Sequence, residues 1–523
     1  MSKILNSKFY ILAFIIIIAA FFRLYNITPP AGGLPPGLYP DEAMNGNNAL
    51  EALSTAPSAG GFKIFYPENN GREGLFINIQ AISIALFGNF PWALRIVSAL
   101  FGILTVLGIY FLSKELFAGR LSPNKIALLS SFFIAVSFWH INFSRIGFRA
   151  IMAPFFLTWG VYFLLTSLNK ININSKIQEE FKNQISNLKN TNQNLKIILF
   201  SIIGGIFYGL GFHSYIAYRA TPLLILIIIA LYWFQNKDWQ IRKKILLVAS
   251  GYALVAIIVA APLGLYFLKN PQDFMGRTTQ VSIFNSETPL KDLGINILKT
   301  AGMFNFRGDY NWRHNIAGRP LLFWPIGILF IIGVIISIRR LSSESIILFS
   351  WLIIAALPIV VSNEGLPHAL RAIIMIPPVF ILAGFSGIYI YEKIKNTALI
   401  NESSVRINFL RLSAAVFLII LIIQGYKSYF IDWGKNPNVQ GAFAANYVQI
   451  GRELNNLPNP PASGLPKYVI VEAGGVDVRG IPMPTQTVMF ITDTFTPEKQ
   501  KEKKKKQHQI LASSLIIKII IST

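Results

Sequence analysis

Long apolar runs are the feature that most constrains how this chain can fold. An α-helix needs about 17–25 mainly apolar residues to cross the hydrocarbon core of a membrane. Eleven runs reach or approach that length: residues 9–22, 92–112, 126–140, 151–168, 197–212, 221–234, 245–268, 321–338, 345–361, 372–391 and 412–426. Charged residues make up only 14% of the chain, against about 25% in soluble domains. We therefore predict an all-α polytopic membrane protein with about eleven transmembrane helices.

Clusters of lysine and arginine give the predicted orientation. If the N-terminus is cytoplasmic, the Lys-rich loops fall on the cytoplasmic side, as the positive-inside rule requires; the longest of them is the linker 168–196. The first outer loop is then 23–91, and the second long outer loop is 269–320. Residues 75–87 are apolar but too short to span comfortably, so we predict a helix at the interface. The predicted location is the cell inner or plasma membrane.

The net charge of +23 does not indicate nucleic-acid binding, because most of the lysines lie in short loops between apolar runs. We predict membrane lipid as a partner and no nucleic acid. The absence of cysteine excludes disulfides, thiolate nucleophiles and cysteine-based metal sites.

The chain is predicted to divide into a transmembrane catalytic domain, 1–427, and an extracytoplasmic C-terminal region, 428–523. In that region, "KYVIVEAGG" and "TVMFIT" predict strands of a small α/β domain. After about residue 498 a lysine run is followed by a short apolar stretch, a pattern that completes no domain. Our hypothesis is that this end is truncated or frameshifted.

Arginine is concentrated in the predicted outer loops, where positive residues are normally scarce. Arg149, Arg219 and Arg371 lie at predicted helix ends, in "SRIGFRA", "AYRA" and "HALRA". Because a guanidinium group can bind phosphate through two parallel hydrogen bonds, we predict that these three bind the phosphate of a lipid-linked donor. Arg145 and Arg319 are further candidates. The alternative is that each arginine only reaches the phosphates of membrane lipids.

Polar and aromatic side chains occur together in two outer motifs, "YPENNGREGLFINIQ" and "MFNFRGDYNWRHNIAGRPLLFWP". This mixture suits a sugar, whose hydroxyl groups are hydrogen-bonded and whose apolar face stacks on a ring. The candidate sugar- or acceptor-binding residues are Tyr39, Glu68, Arg72, Glu73, Trp312, Arg313, His314 and His368. The composition alone would fit an ordinary surface loop equally well.

Two adjacent acids, Asp41 and Glu42, follow the first apolar run in "GLYPDEAMNGNNALEAL". Transfer of a sugar from a lipid phosphate to a hydroxyl group needs a base for the hydroxyl proton and cations for the leaving phosphate. We predict that Asp41 is the base and that Glu42 orients it or contacts the acceptor or a metal. The alternative is structural, because Asp-Glu before a helix also fits an N-cap followed by a first-turn acid.

The order of these motifs resembles the GT-C glycosyltransferases, in particular the family 39-like branch with protein O-mannosyltransferases and the lipid A aminoarabinose transferase. The resemblance covers roughly residues 5–430 and includes "YPDEAMNGNNALEAL", "GREGLFINIQAISIALFG" and "LPHALRAIIMIPPVFILAG". It implies inverting transfer from a polyprenyl-phosphate-linked sugar to a glycan, lipid or protein hydroxyl at the extracytoplasmic face, with Asp41 as the base.

The sequence departs from that family pattern at two places. Relatives have a second acid between the third and fourth spans, where this chain has Arg145 and Arg149, and "GREG" stands where some relatives have His-Pro-Pro. The first departure weakens the case for a metal that bridges the two loops. We therefore predict no metal and no cofactor, with a divalent cation as an alternative.

Two other functions compete with glycosyl transfer. A flippase or transporter of lipid-linked glycans should carry ionisable groups at mid-membrane, but the middles of the eleven runs contain no Asp, Glu, Lys or Arg. A non-catalytic membrane scaffold would leave the acidic pair and the outer arginines without a role.

Overall fold

The computed structural model describes residues 2–28, 33–54, 61–120, 122–180, 187–280, 282–362, 365–397, 403–457 and 476–495. In these residues the protein is mainly α-helical, and β-structure is limited to two short antiparallel hairpins and one isolated bridge between Ser282 and Ser362. The predicted all-α class is confirmed.

Each of the eleven predicted spans falls on a helix. These helices are α1 (Ser2–Leu24), α4 (Pro91–Leu116), α5 (Pro123–Val136), α7 (Met152–Glu180), α8 (Asn187–Gly211), α9 (Pro222–Gln235), α10 (Trp239–Lys269), α13 (Trp324–Arg340), α14 (Ser343–Val360), α15 (Ile376–Lys395) and α16 (Ser404–Tyr426). In the described part of the chain, eight helical segments are long and apolar enough to cross a membrane. The protein is therefore a multi-pass membrane protein.

Shorter elements lie between and after these helices. They are α2 (Pro40–Leu53), α3 (Gly74–Phe87), α6 (Phe138–Phe143), α11 (Pro271–Gln280), α12 (Pro289–Gly302), α17 (Pro437–Ala442), α18 (Ala445–Asn456) and α19 (Thr485–Ile491). Strands β1 (Phe65–Tyr66) and β2 (Arg72–Glu73) form one hairpin, and β3 (Asp477–Val478) and β4 (Ile481–Pro482) form the other. The predicted interfacial segment is the helix α3.

Small residues allow neighbouring long helices to approach closely. Gly205 and Gly209 lie four residues apart on α8, where an added Cβ would come within 2.6 Å and 2.7 Å of backbone oxygens of α10. Small residues spaced by four are a common packing device between membrane helices. The α8–α10 pair is therefore held by close backbone approach, together with a hydrogen bond from the Ser201 hydroxyl group to the Val248 carbonyl oxygen at 2.8 Å.

Helix α2 is polar in sequence but almost completely buried. Pro40 occupies its first turn, and the Tyr39 N–H donates to Glu42 Oε1 at 3.4 Å, so Glu42 satisfies a backbone donor at the helix start. The N-cap position belongs to Tyr39, not to Asp41. The side chain of Asp41 is therefore not the helix cap that the structural alternative assumed.

The C-terminal region packs directly on α2. The Asn47 side chain donates to the carbonyl oxygen of Gln486 at 3.1 Å and to its side-chain oxygen at 2.9 Å. An added Cβ on Gly46 would come within 2.3 Å of the Phe490 ring. The end of the bundle that carries α2 and this C-terminal segment therefore form one packed unit.

One predicted strand of the C-terminal region is wrong. "TVMFIT" lies in helix α19, because both sides of the segment are buried, one of them against α2, and a short apolar run has the same pattern in a buried strand as in a buried helix. The other predicted strand, "KYVIVEAGG", and the residues after about 498 lie outside the described residues.

Candidate active site

A cavity of about 940 Å³ opens where the loops predicted to be outer meet the ends of α7, α9, α14 and α15. Three 3₁₀ turns border it: Arg149–Ile151, Ile216–Ala220 and Arg371–Met375. Each turn carries one of the arginines predicted to bind phosphate. Four guanidinium groups and three carboxylates line the described part of the cavity: Arg72, Arg149, Arg219, Arg371, Asp41, Glu73 and Asp273.

Asp41 lies in the first turn of α2 and lines this cavity. Its Oδ1 accepts a hydrogen bond from the Asn69 side-chain amide at 2.8 Å. Asn69 and Asn70 have φ values of +53° and +63° in the β1–β2 turn, a conformation that Asn tolerates better than most residues. Among the described residues no other group donates to Asp41, so its second oxygen can accept a proton from a bound molecule.

Glu42 points away from the cavity and is completely buried. Its two oxygens accept from the Arg95 guanidinium at 2.9 Å and 3.0 Å, and the Gly147 N–H donates to Oε2 at 2.7 Å. Glu42 thus joins α2 to α4 and to the loop before α7. Its neighbours leave it no access to a molecule in the cavity.

Glu73 holds two of the cavity arginines. Arg149 Nε donates to Glu73 Oε2 at 2.7 Å, and Arg219 Nη2 lies 3.9 Å from Oε1. The guanidinium of Arg219 also lies over the Phe274 ring, 4.4 Å from its centroid. Because one buried carboxylate lies between two guanidinium groups, these three side chains together carry a net positive charge beside the cavity.

Arg371 lines the cavity from the 3₁₀ turn that precedes α15. It donates to the Ser362 hydroxyl group. Arg149, Arg219 and Arg371 therefore come from three separate loops, more than 60 residues apart in sequence, and converge on one cavity.

Arg72 lies behind Asp41 and is buried. Its Nη atoms donate to the side-chain oxygens of Asn45 at 2.8 Å and Asn48 at 2.6 Å. Burial, and next the positive charge of Arg149, lower the pKa of Arg72 to about 10. Arg72 stays cationic at neutral pH, and because its hydrogen-bond partners here are uncharged, its field acts on the cavity.

Asp309, His314 and His368 form a cluster whose ligand atoms lie within 4.8 Å of one another. Asp309 Oδ2 lies 2.9 Å from His314 Nδ1 and accepts from the Ala369 N–H at 2.8 Å. Burial alone would raise the pKa of Asp309, but the hydrogen bond and charge of His314 and the charge of His368 lower it. These residues could hold a divalent cation, although the His314–Asp309 hydrogen bond would have to open.

Solved structures with related architecture match nearly the whole chain. The oligosaccharyltransferase AglB of Archaeoglobus fulgidus, solved with an inhibitory peptide and dolichol-phosphate, aligns over 94% of this chain at 15% identity and a TM-score of 0.54. ArnT of Cupriavidus metallidurans, solved with undecaprenyl phosphate, aligns over 99% at 12% identity and a TM-score of 0.51. The chain spans 64% of AglB and 90% of ArnT.

The chain has the fold of the GT-C glycosyltransferases. Residues 75–175, from α3 into α7, also match the family of dolichyl-phosphate-mannose-protein mannosyltransferases. No curated protein matches the chain significantly by sequence.

Several of the predicted site residues lie away from the cavity. Arg145 is fully buried and donates to the carbonyl oxygens of Phe22, Asn26 and Leu34. Arg319 is partly exposed, and its Nη1 lies 3.4 Å from Asp432 Oδ2. Neither lines the cavity, so their predicted contact with a donor phosphate has no geometric support.

The predicted sugar-binding residues divide in the same way. Tyr39, Arg72, Glu73 and His368 line the cavity, whereas Glu68, Trp312, Arg313 and His314 do not. Arg313 lies over the Tyr39 ring, 4.0 Å from its centroid, and so supports a cavity residue from behind. Glu68 accepts from Arg479, a contact with the C-terminal region.

Sequence analysis missed several residues that build the site. Arg95, near the start of a predicted span, is the bonding partner of Glu42. Asn45 and Asn48 hold Arg72, and Asn69 holds Asp41. Arg95 could have been noticed in the sequence, because a charged residue inside an apolar run must pair with another group. Its neighbours in the sequence do not reveal that its partner is Glu42.

Proposed function

We propose that this chain is an integral-membrane inverting glycosyltransferase that moves a sugar from a polyprenyl-phosphate donor to an acceptor hydroxyl group at the extracytoplasmic face. The observation that carries the proposal is the convergence of the Asp41 carboxylate with three loop-borne arginines on a single cavity. The GT-C fold supports it, as do the dolichol-phosphate bound to AglB and the undecaprenyl phosphate bound to ArnT.

In the proposed reaction Asp41 takes the proton of the acceptor hydroxyl group. The acceptor oxygen forms a bond to the anomeric carbon while the bond from that carbon to the phosphate oxygen breaks. The phosphate leaves with the electron pair, and Arg149, Arg219 and Arg371 stabilise its charge. Because the acceptor attacks opposite the leaving group in one displacement, the configuration at the anomeric carbon inverts.

The residues that line the cavity support separate binding places for the donor and the acceptor. Arginines held by Glu73 and Ser362 occupy the side formed by α7, α9 and α15. Asp41 and Asn69 lie on the other side, where Val476, Met483 and Pro484 of the C-terminal region complete the lining. We assign the first side to the donor phosphate and the second to the acceptor, which is a glycan, a lipid or a protein.

The test is turnover by the purified full-length chain in lipid nanodiscs, with a panel of polyprenyl-phosphate-linked hexoses and pentoses. Release of polyprenyl phosphate that depends on an added acceptor is the expected result. A phosphonate donor, in which a methylene group replaces the bridging oxygen, is the matched control and should bind without release.

A different outcome would favour the competing function. If reconstituted vesicles move an intact lipid-linked sugar between leaflets and release no polyprenyl phosphate with any acceptor, the chain is a transporter. If the phosphonate donor does not bind at all, the cavity is not a donor site.

A further inference from the structure

A second pocket of about 860 Å³ lies at the other end of the same helices that border the first cavity. Helix α14 contributes Leu357 and Pro358 near its C-terminus to the first cavity, and Glu344 and Ser345 near its N-terminus to the second pocket. Its 18 residues span roughly 27 Å at 1.5 Å per residue, close to the thickness of a hydrocarbon core. The second pocket therefore opens at the opposite membrane face, which the charge pattern predicts to be cytoplasmic.

One part of this pocket is apolar. Phe117, Ile126, Leu348, Phe385 and Ile388 line it. The rings of Phe117 and Phe385 stack with centroids 5.1 Å apart. This wall offers a surface for hydrocarbon chains at the end of the bundle.

The rest of the pocket is charged, and its acids already have partners. Glu344 accepts from Arg120, with Arg120 Nη2 3.2 Å from Oε2, and Glu392 accepts from Lys125. Arg340 lies over the Tyr389 ring, 4.7 Å from its centroid, and no carboxylate pairs with it in the described part of the chain. Lys393 also lines the pocket without a described carboxylate partner. The unneutralised charge of the pocket is therefore positive.

We propose that this second pocket binds the headgroup of an anionic glycerophospholipid from the adjoining leaflet. Arg340 and Lys393 hold the phosphate, and the acyl chains lie along Phe385, Ile388 and Leu348. A free phosphate compound would not use the apolar wall. A zwitterionic headgroup carries an ammonium group as well as a phosphate, and the carboxylates of Glu344 and Glu392 already pair with other cations, so the pocket favours an anionic headgroup.

The experiment titrates the full-length chain in detergent micelles with phosphatidylglycerol and counts bound lipid by native mass spectrometry. Arg340→Gln is the test variant, and Arg339→Gln is its matched control, since Arg339 is exposed on the same helix end but does not line the pocket. Loss of one charge-assisted contact should weaken phosphatidylglycerol binding about 10-fold in Arg340→Gln and leave Arg339→Gln unchanged. Lys393→Gln should weaken binding in the same direction.

Three comparisons decide the outcome. Phosphatidylglycerol should compete better than phosphatidylcholine, and glycerol phosphate should compete poorly because it lacks acyl chains. Equal loss in Arg340→Gln and Arg339→Gln would mean general surface attraction and would overturn the site. If glycerol phosphate competes as well as phosphatidylglycerol, the pocket binds a soluble anion instead. The same conclusion follows if Arg340→Gln and Lys393→Gln still bind phosphatidylglycerol but no longer bind glycerol phosphate.

Discussion

The wall of the candidate active-site cavity and the packed layer beneath it contain the same chemical groups in different settings. The wall carries Asp41, Arg149, Arg219 and Arg371, which border the open volume. The layer consists of Glu42, Arg95, Arg145 and Arg23, all 2% exposed or less. Asp41 and Glu42 are adjacent in sequence, and Arg145 and Arg149 are four residues apart, so sequence position does not separate the two regions.

Hydrogen-bond partners do separate them. In the layer, Arg145 and Arg23 donate to backbone carbonyl oxygens, with Arg23 Nη1 3.1 Å from the Ala135 oxygen, and Arg95 and Glu42 bind each other. In the wall, Asp41 has one described donor, Asn69, and keeps an oxygen available. The comparison teaches that a charged residue enclosed by protein partners holds the loops, while one that borders the cavity with an oxygen still available can contact a bound molecule.

The largest expected effect is on catalysis by the wall. Asp41→Asn keeps the size of the side chain but removes its basic oxygen, so turnover of a polyprenyl-phosphate sugar should fall by about 10²–10⁴-fold. Donor binding and the unfolding temperature should change little. Full activity in Asp41→Asn would remove Asp41 as the base and make Glu73 or Asp309 the next candidate.

The next effect, on stability, concerns the layer. Glu42→Gln leaves the buried charge of Arg95 without its partner, which should cost about 3–5 kcal/mol of unfolding free energy. Thermal unfolding in detergent measures it, and the double variant Glu42→Gln/Arg95→Met should recover part of the loss because no buried charge is then left unpaired. If Glu42→Gln is as stable as the wild type but inactive, Glu42 acts in the reaction as the wall residues are proposed to do, and the distinction between wall and layer fails.

A smaller effect is expected for donor binding. Arg371→Gln removes one charge-assisted contact, worth about 1.5–3 kcal/mol, so affinity for a polyprenyl phosphate should fall roughly 10- to 150-fold. Arg319→Gln is the matched control, because Arg319 is an outer-loop arginine that does not line the cavity. Binding measured by calorimetry or by lipid competition should be unchanged in the control. An equal loss of affinity in both variants would mean that the arginines act only through general surface charge and not through a specific phosphate site.

The smallest effect is a pH dependence at the contact between the first outer loop and the C-terminal region. Burial would raise the pKa of Glu68, but the hydrogen bond and charge of Arg479 outweigh it and lower the pKa from its ordinary value of 4.5. The stabilisation is therefore complete above pH 4.5 and is lost as the pH falls through the lower, folded-state value. Unfolding temperatures measured below pH 4.5 should decline more steeply for the wild type than for Arg479→Gln; parallel curves would show that this pair does not couple the two segments.

The sequence predicted the spans and the cavity arginines because both signals are local. Apolar length identifies a helix such as α10 without knowledge of its neighbours, and Arg149, Arg219 and Arg371 stood out as positive residues at predicted outer helix ends. The roles of Glu42 and Arg145 could not be predicted in this way. Their partners lie more than 50 residues away in sequence, and the resulting burial is a tertiary property.

The same limit explains the wrong strand. Residues 487–492 have the composition of a strand, and only the contact with α2 distinguishes the alternatives. Glu68 was predicted to contact sugar for a similar reason, since its partner Arg479 lies 411 residues further along the chain.

The contact between Asn47 and Gln486 joins residues separated by 439 positions. During synthesis at about 5–20 residues per second, α2 must wait on the order of 20–90 seconds before Gln486 exists. Until then α2 lacks the segment that covers it, and the cavity lacks Met483 and Pro484 from its lining. A chain that is still being inserted therefore has its cavity arginines before this part of the cavity lining. If the proposed function is correct, the chain becomes able to transfer a sugar only when synthesis is nearly complete.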